Sequence, residues 1–260
     1  MGTAIEMRNV SVVRDGTTIL DTIDLDIDAG ENIAIIGPNG SGKTTLMKLL
    51  RGEIHPYSRE DTEFRLFGKK RWDLFELRSR IGIVSMDLQS RFDGTSDVGD
   101  VIMSGFFGSM DVYRNHEVSG TMREKVCRIG ETMGLADKMD RDIGTVSLGE
   151  MRRALISRAL VSGPEMLVLD EPMTGLDISV RTMFKKMFDS LIENGTGIVM
   201  ITHELEDIPE GIGRIVMMKN GKIFADGEKK ELLTSENVSR LYDAELKVEC
   251  RGGSYHMYGA

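Results

Sequence analysis

Alternating and continuous runs of apolar residues divide the chain into predicted strands and helices. Residues 5–13 and 17–20 flank Asp15-Gly16, a dipeptide suited to a tight hairpin turn. Leu25-Asp26-Ile27 alternates before a turn at Ala29-Gly30, so the opening predicts antiparallel strands in a sheet beside the core. Ile33-Ala34-Ile35-Ile36 is an uninterrupted apolar run, and Leu46-Met47-Lys48-Leu49-Leu50 has helical character up to Gly52, a residue suited to the C′ position. Residues 63–67 predict another strand, which Gly68-Lys69-Lys70 turns toward a short helix around 73–78. Residues 81–85 then predict a buried strand.

From 91 to about 144 the β-branched runs thin out, and segments at 97–103 and 123–133 suit helices; this reads as a helical insertion. Ser147-Leu148-Gly149-Glu150 has the spacing of a capping box, with Met151, Ala154, Leu155 and Ala159 following at helical intervals, so a helix begins at Ser147. Gly163-Pro164 ends it. Met166-Leu167-Val168-Leu169 is short and wholly apolar, as a central parallel strand buried on both faces must be. A further strand covers 197–202, and 215–218 and 222–225 flank Asn220-Gly221, the strongest hairpin signal in the chain. Beyond 235, residues 238–242 suit a helix and 246–249 a strand. The sum is a mixed α/β chain.

The most specific chemistry lies between the strand at 33–36 and the helix after it. Gly37-Pro38-Asn39-Gly40-Ser41-Gly42-Lys43-Thr44, with Thr45 behind it, is a glycine-rich turn that can aim several backbone N–H groups at one anion. The helix that starts there adds unpaired amides and a positive dipole end. The spacing matches the P-loop, in which the lysine reaches the β- and γ-phosphates and the next hydroxyl ligates Mg²⁺. Asp170 and Glu171 stand at the C-terminal end of a buried strand, where ligands bind in open α/β sheets. His203 ends the strand at 197–202 and reads either as structural or as functional. His55, His116 and His256 have no comparable context and receive no role.

Composition narrows the class. The 260 residues carry 33 basic and 42 acidic side chains, a net charge of −9 that argues against general attraction to nucleic acid. Cys127 and Cys250 stand far apart, which points to a reducing, cytosolic setting and away from a disulfide or zinc scaffold. The 18 methionines are scattered like core fillers. No apolar run approaches the length of a membrane span and the N-terminus shows no signal-peptide core, so the expectation is a chain that does not itself cross a bilayer. The P-loop occurs once.

Taken together and in order, these motifs resemble those of an ATP-binding cassette (ABC) ATPase. Residues 37–44 are similar to Walker A, 147–150 to the signature motif, 166–171 to Walker B with its acidic follower, Thr174-Gly175-Leu176-Asp177 to the D-loop, and His203 to the switch histidine. Twenty-three residues separate Ser147 from Asp170, as in that family. Wording at 12–16, 85–89 and 201–209 is similar to the cassettes grouped with molybdenum transport and photorepair. The resemblance implies one ABC domain over 1–260 with a P-loop NTPase core. Residues 1–90 would hold the antiparallel β subdomain and Walker A, 91–146 an inserted α-helical subdomain, 147–234 the signature, Walker B and switch elements, and 235–260 a tail.

The chain departs from the family pattern in three places, the signature, the adenine contact and the Q-loop. Leu148 replaces the first signature glycine and Glu150 the common glutamine, which makes this loop bulkier and more acidic. Arg14 stands where an aromatic residue often stacks on adenine, and its planar guanidinium can stack likewise. Met86 falls where the Q-loop glutamine is expected, and because a thioether is a poor Mg²⁺ ligand, Gln89 is the candidate in its place.

The resemblance further implies an ATPase with ATP and Mg²⁺ as cofactors. The amides of Gly40 to Thr44 and Lys43 would hold the phosphates; Thr44, Gln89 and Asp170 would hold Mg²⁺; Glu171 would polarise water, and His203 would fix the γ-phosphate. Two cassettes, identical or related, would close head to tail, so that Ser147, Gly149 and Glu150 of one, with Asp177 nearby, complete the site of the other. The favoured reading is a cytoplasmic ATPase subunit, peripheral at the membrane, that drives transport through separate transmembrane permease subunits. The rival is a soluble cassette used as an ATP-dependent switch in repair or regulation. A small-molecule kinase would leave 147–150 and His203 without a purpose.

Overall fold

The computed structural model describes residues 2–85, 92 and 96–259. In chain order the elements are β1 (Thr3–Arg14), β2 (Thr17–Asp28), β3 (Asn32–Ile36), α1 (Lys43–Leu50), β4 (Glu63–Leu66), α2 (Leu74–Arg80) and β5 (Ile81–Val84). Then come α3 (Val98–Met103), α4 (Gly120–Thr132), α5 (Leu148–Leu160), β6 (Met166–Asp170), α6 (Ile178–Glu193) and β7 (Gly197–Thr202). The chain continues through β8 (Arg214–Lys219), β9 (Lys222–Glu228), α7 (Lys229–Leu232), α8 (Ser235–Tyr242), β10 (Leu246–Arg251) and β11 (Ser254–Gly259). They fall into two compact units, one of residues up to Trp72 together with Arg181 onward, the other Asp73–Val180.

In the first unit β1 pairs antiparallel with β2 on one side and β4 on the other. Asp15 (φ 50°) and Gly16 (φ 75°) make the predicted turn with two left-handed residues, the twist a two-residue hairpin requires. β2 runs to Asp28, longer than the sequence pattern suggests, because the ladder shifts register between Met7 and Val12 rather than stopping. Side chains take over the backbone donors freed there: Asp24 Oδ1 accepts from the Asn9 amide at 2.7 Å and Ser11 Oγ from the Thr22 amide at 3.0 Å.

The second sheet of this unit sets β3 between β7 and β8, all parallel, with β9 antiparallel to β8 across the Asn220-Gly221 turn. Ile33 to Ile36, Ile198 to Met200 and Ile215 to Met218 are fully buried, as strands covered on both faces must be. α1 ends in a Schellman arrangement: the Gly52 amide donates to Leu49 O and the Glu53 amide to Lys48 O, both at 3.0 Å. At the far end β10 and β11 form a hairpin; the sequence reading reached β10 but not β11.

In the second unit β5 and β6 are parallel, and α2 feeds directly into β5. Asp73 caps α2 by accepting from the Phe75 and Glu76 amides. The segment predicted as helical holds α3, α4 and short 3₁₀ turns, with α4 starting at Gly120, where Ser119 caps it, three residues before the predicted start. Arg158 of α5 ties this segment down by donating to Ser104 Oγ (3.0 Å) and Ser109 O (2.7 Å). Burial brings its pKa down to about 10, aided by the charge of Arg78, so it stays cationic at neutral pH.

Candidate functional site

The loop between β3 and α1 is shaped by close backbone approach. A Cβ at Gly37 would lie 2.2 Å from Met218 O, and at Gly42, whose φ is 103°, 2.6 Å from Leu20 Cδ2. Neither position accepts a side chain without rebuilding the loop. The Ser41 amide donates to Pro38 O at 3.2 Å, and Ser41 O accepts from the Gly221 amide at 3.1 Å, so the β8–β9 turn props the loop from behind.

The first intrahelical bond of α1 runs from Leu46 to Gly42, which leaves the amides of Thr44 and Thr45 without a helical acceptor. No side chain caps them. Lys43 is buried, and its ammonium donates to Gly37 O (2.6 Å) and Pro38 O (3.0 Å). Thr44, Asn39 and Gly40 are exposed at the rim. Ser41 Oγ is buried with no hydrogen-bond partner among the described residues. Uncapped amides, an ammonium and an unsatisfied hydroxyl around one concave turn form a cradle fitted to an anion with several oxygens.

β7 brings His203 to the same edge. Ile36 pairs with Thr202 across the parallel β3–β7 ladder, so Gly37 and His203 leave neighbouring strands side by side. His203 Nε2 lies 3.5 Å from Glu204 Oε1, and its carbonyl accepts from the Tyr242 hydroxyl at 3.2 Å. Arg14, at the end of β1, is exposed beside Asp15. Met86 and Gln89 lie outside the described residues.

In the second unit Met166 to Leu169 are fully buried and deliver Asp170 at the strand end. Arg152 of α5, fully buried, is a residue the motif reading passed over. Burial lowers its pKa while the charge of Asp170 opposes that shift, so the two form an electrostatic pair. Helical spacing within the apolar face of α5 was the available signal for it. Glu171 sits in the left-handed region at φ 50°, uncommon for a residue with a long side chain, and Thr174 Oγ1 donates to its Oε2 at 3.2 Å.

Ser147 to Glu150 form the expected reciprocal cap on α5: the Ser147 amide donates to Glu150 Oε2 (2.8 Å) and the Glu150 amide to Ser147 Oγ (3.3 Å). Leu148 projects partly into solvent, against Gly175, and Gly149 abuts Val180. Asp177 accepts from Ser179 Oγ (2.6 Å) and the Val180 amide (3.0 Å), which holds its pKa down and places it as a cap on α6.

The bond from the Ser147 amide is also the main reason the Glu150 carboxyl titrates below its ordinary value. A carboxyl with a depressed folded pKa contributes stability above its unfolded pKa, about 4.3, and loses it as pH falls through the folded value. Glu150→Ala is expected to cost about 1 kcal/mol at neutral pH, with the gap from wild type closing in acid. Urea melts at neutral and acid pH read this directly; a gap that stays constant would show that the cap is not carried by the ionised carboxylate.

A sequence profile of the ABC transporter family matches residues 20–174. The chain is 36% identical over 251 residues to the ABC transporter ATP-binding protein YlmA of Bacillus subtilis, covering 94% of this chain and 92% of that protein. It is 31% identical over 261 residues to the hemin import ATP-binding protein HmuV of Rhodopseudomonas palustris, covering 96% and 94%. Among solved structures, CbiO1 of Clostridium perfringens, part of the ABC transporter complex CbiONQ, superposes with a TM-score of 0.78 at 26% identity, covering 92% of this chain and 94% of that one. These similarities support the transporter reading over that of a soluble switch in repair or regulation. No helix among the described residues is long and apolar enough to cross a membrane. The chain therefore belongs to the ABC transporter family and is an ATP-binding, ATP-hydrolysing subunit with the P-loop NTPase fold.

Proposed function

We propose that two copies of this chain, or one copy and a related cassette, close head to tail around ATP at the cytoplasmic face of a membrane and so drive a permease carried on separate polypeptides. The observation that carries this reading is the start of α1, where the Thr44 and Thr45 amides lack a helical acceptor beside the buried Lys43 ammonium. Support for a membrane partner comes from the relatives, since CbiO1 is by its description part of a transporter complex. Hemin is named for HmuV alone and does not define the cargo here.

In this reading the amides from Gly40 to Thr44 and the Lys43 ammonium bind the β- and γ-phosphates, while Gly37 and Gly42 let the loop pack against Met218 and Leu20 in the shape that does so. Arg14 stacks on adenine from its exposed place at the end of β1. Thr44, Gln89 and Asp170 offer only oxygen donors, a set suited to a hard cation such as Mg²⁺, and the exposure of Thr44 at the rim fits that assignment. Mg²⁺, held there, would supply positive charge that neutralises the charge developing on the phosphates.

Glu171 accepts a hydrogen bond from the attacking water and orients it. His203 donates to a γ-phosphate oxygen. The N-terminus of α5 on the second copy, through Ser147 and the amides of Leu148 and Gly149, meets the same phosphate, with Glu150 and Asp177 holding the two helix starts in shape.

Mild detergent extraction of the tagged chain from its native cells tests the partner. A polytopic membrane protein is expected to co-purify in stoichiometric amount. A homodimer that elutes with no membrane protein, and whose ATPase is stimulated by nucleic acid, would return the soluble switch to first place.

A further inference from the structure

The segment around His203 is held by the C-terminal appendage, through α8 and β11, and by α6. Tyr242, the last residue of α8, donates its hydroxyl to the His203 carbonyl at 3.2 Å. His256 of β11 contacts Glu206 through Nδ1 at 2.9 Å, in the 3₁₀ turn Leu205–Asp207. The Asp207 carboxylate, almost wholly buried, is clamped by Arg181 of α6, with Nε at 2.7 Å and Nη2 at 2.5 Å.

The appendage is itself anchored. Lys219 of β8 donates to Arg240 O (2.5 Å) and Asp243 Oδ1 (2.6 Å), fixing the end of α8, and Lys185 of α6 donates to Ser254 Oγ (3.1 Å), fixing the start of β11. Val238 and Leu241 are fully buried, so α8 presents Tyr242 from a packed face.

From this geometry we infer that the α8–β10–β11 appendage is a brace for the switch segment, and that Tyr242 is a positioning residue acting through the backbone of His203. The inference rests on the reading of His203 as a γ-phosphate ligand. The direction in which a histidine's ring leaves a strand end follows the orientation of its own peptide, and a hydrogen bond to that peptide's carbonyl helps to set it. The Tyr242 hydroxyl holds this carbonyl in a half-buried place. Two further bonds, from His256 and Arg181, fix the next turn of chain. The brace thus gives the tail a role in catalysis without contact with nucleotide.

The test is a double-mutant cycle of Tyr242→Phe and His203→Ala, read as kcat and KM for ATP under single- and multiple-turnover conditions. Tyr242→Phe keeps the ring and its packing, and should lower kcat about three- to tenfold, the worth of one neutral hydrogen bond, with KM little changed. In the His203→Ala background the same change should have no further effect. Tyr258→Phe, on the exposed side of the hairpin where the hydroxyl meets Glu249, should leave kcat and Tm at wild-type values.

If His203→Ala hydrolyses ATP at the wild-type rate, the histidine's assigned role fails and the brace fails with it. If His203→Ala is impaired but Tyr242→Phe keeps full kcat, the brace alone is overturned. An equal loss from Tyr242→Phe in both backgrounds would also overturn it, since the tyrosine would then act elsewhere. Thermal melts of each variant exclude general unfolding as the cause of a lost rate.

Discussion

Glu171→Gln should retain ATP binding while turnover falls by roughly 10²–10⁴-fold, the span that general acid–base groups contribute. The substitution changes almost nothing but charge. Glutamine has the same length, can sit in the same left-handed backbone, and can still accept from Thr174 Oγ1 through its amide oxygen. What it loses is the anionic acceptor to which the proposed mechanism assigns the orienting and polarising of the attacking water. Because binding and closure do not depend on that acceptor, the variant should accumulate as an ATP-bound dimer, detectable by light scattering with Mg²⁺ and ATP. Phosphate release at the wild-type rate would reject the role assigned to Glu171.

Lys43→Ala should act a step earlier, on binding itself. A hydrogen bond to a charged group is worth about 1.5–3 kcal/mol, so removing the ammonium should raise the Kd for ATP by roughly 10- to 100-fold. The loop also loses two internal bonds, because Lys43 Nζ donates to Gly37 O and Pro38 O. Calorimetric titration with ATP separates the effects when paired with a melt: a variant that melts near wild type yet binds poorly has lost the charge, not the fold. Unchanged affinity would remove Lys43 from the phosphate site. The two variants are thus distinct, one arrested after binding and one before it.

Much of the local structure was legible because it is written in short-range chemistry. Asp15-Gly16 and Asn220-Gly221 made their hairpins, since the left-handed conformations such turns need are cheap for those residues. Ser147 to Glu150 formed their reciprocal cap because both partners lie within one turn of helix. The length of β2 and the existence of β11 were less legible. In the first case a register shift rescued by Asp24 and Ser11 carried the strand onward; in the second a hairpin partner, not an apolar run, made the strand.

The sequence by itself determined the kind of chemistry: glycines, a lysine and two hydroxyl residues at a helix start suit a phosphate, and acids after a buried strand suit a cation and a water beside it. Tertiary structure alone decided which distant residues meet. That Gly221 props Ser41 and that Tyr242 bonds the carbonyl of His203 depend on strand order and on the docking of the tail. The physical reason is range: a turn or a cap is settled by neighbours a few residues apart, whereas a contact across dozens of residues forms only when the packed core brings the two sides together.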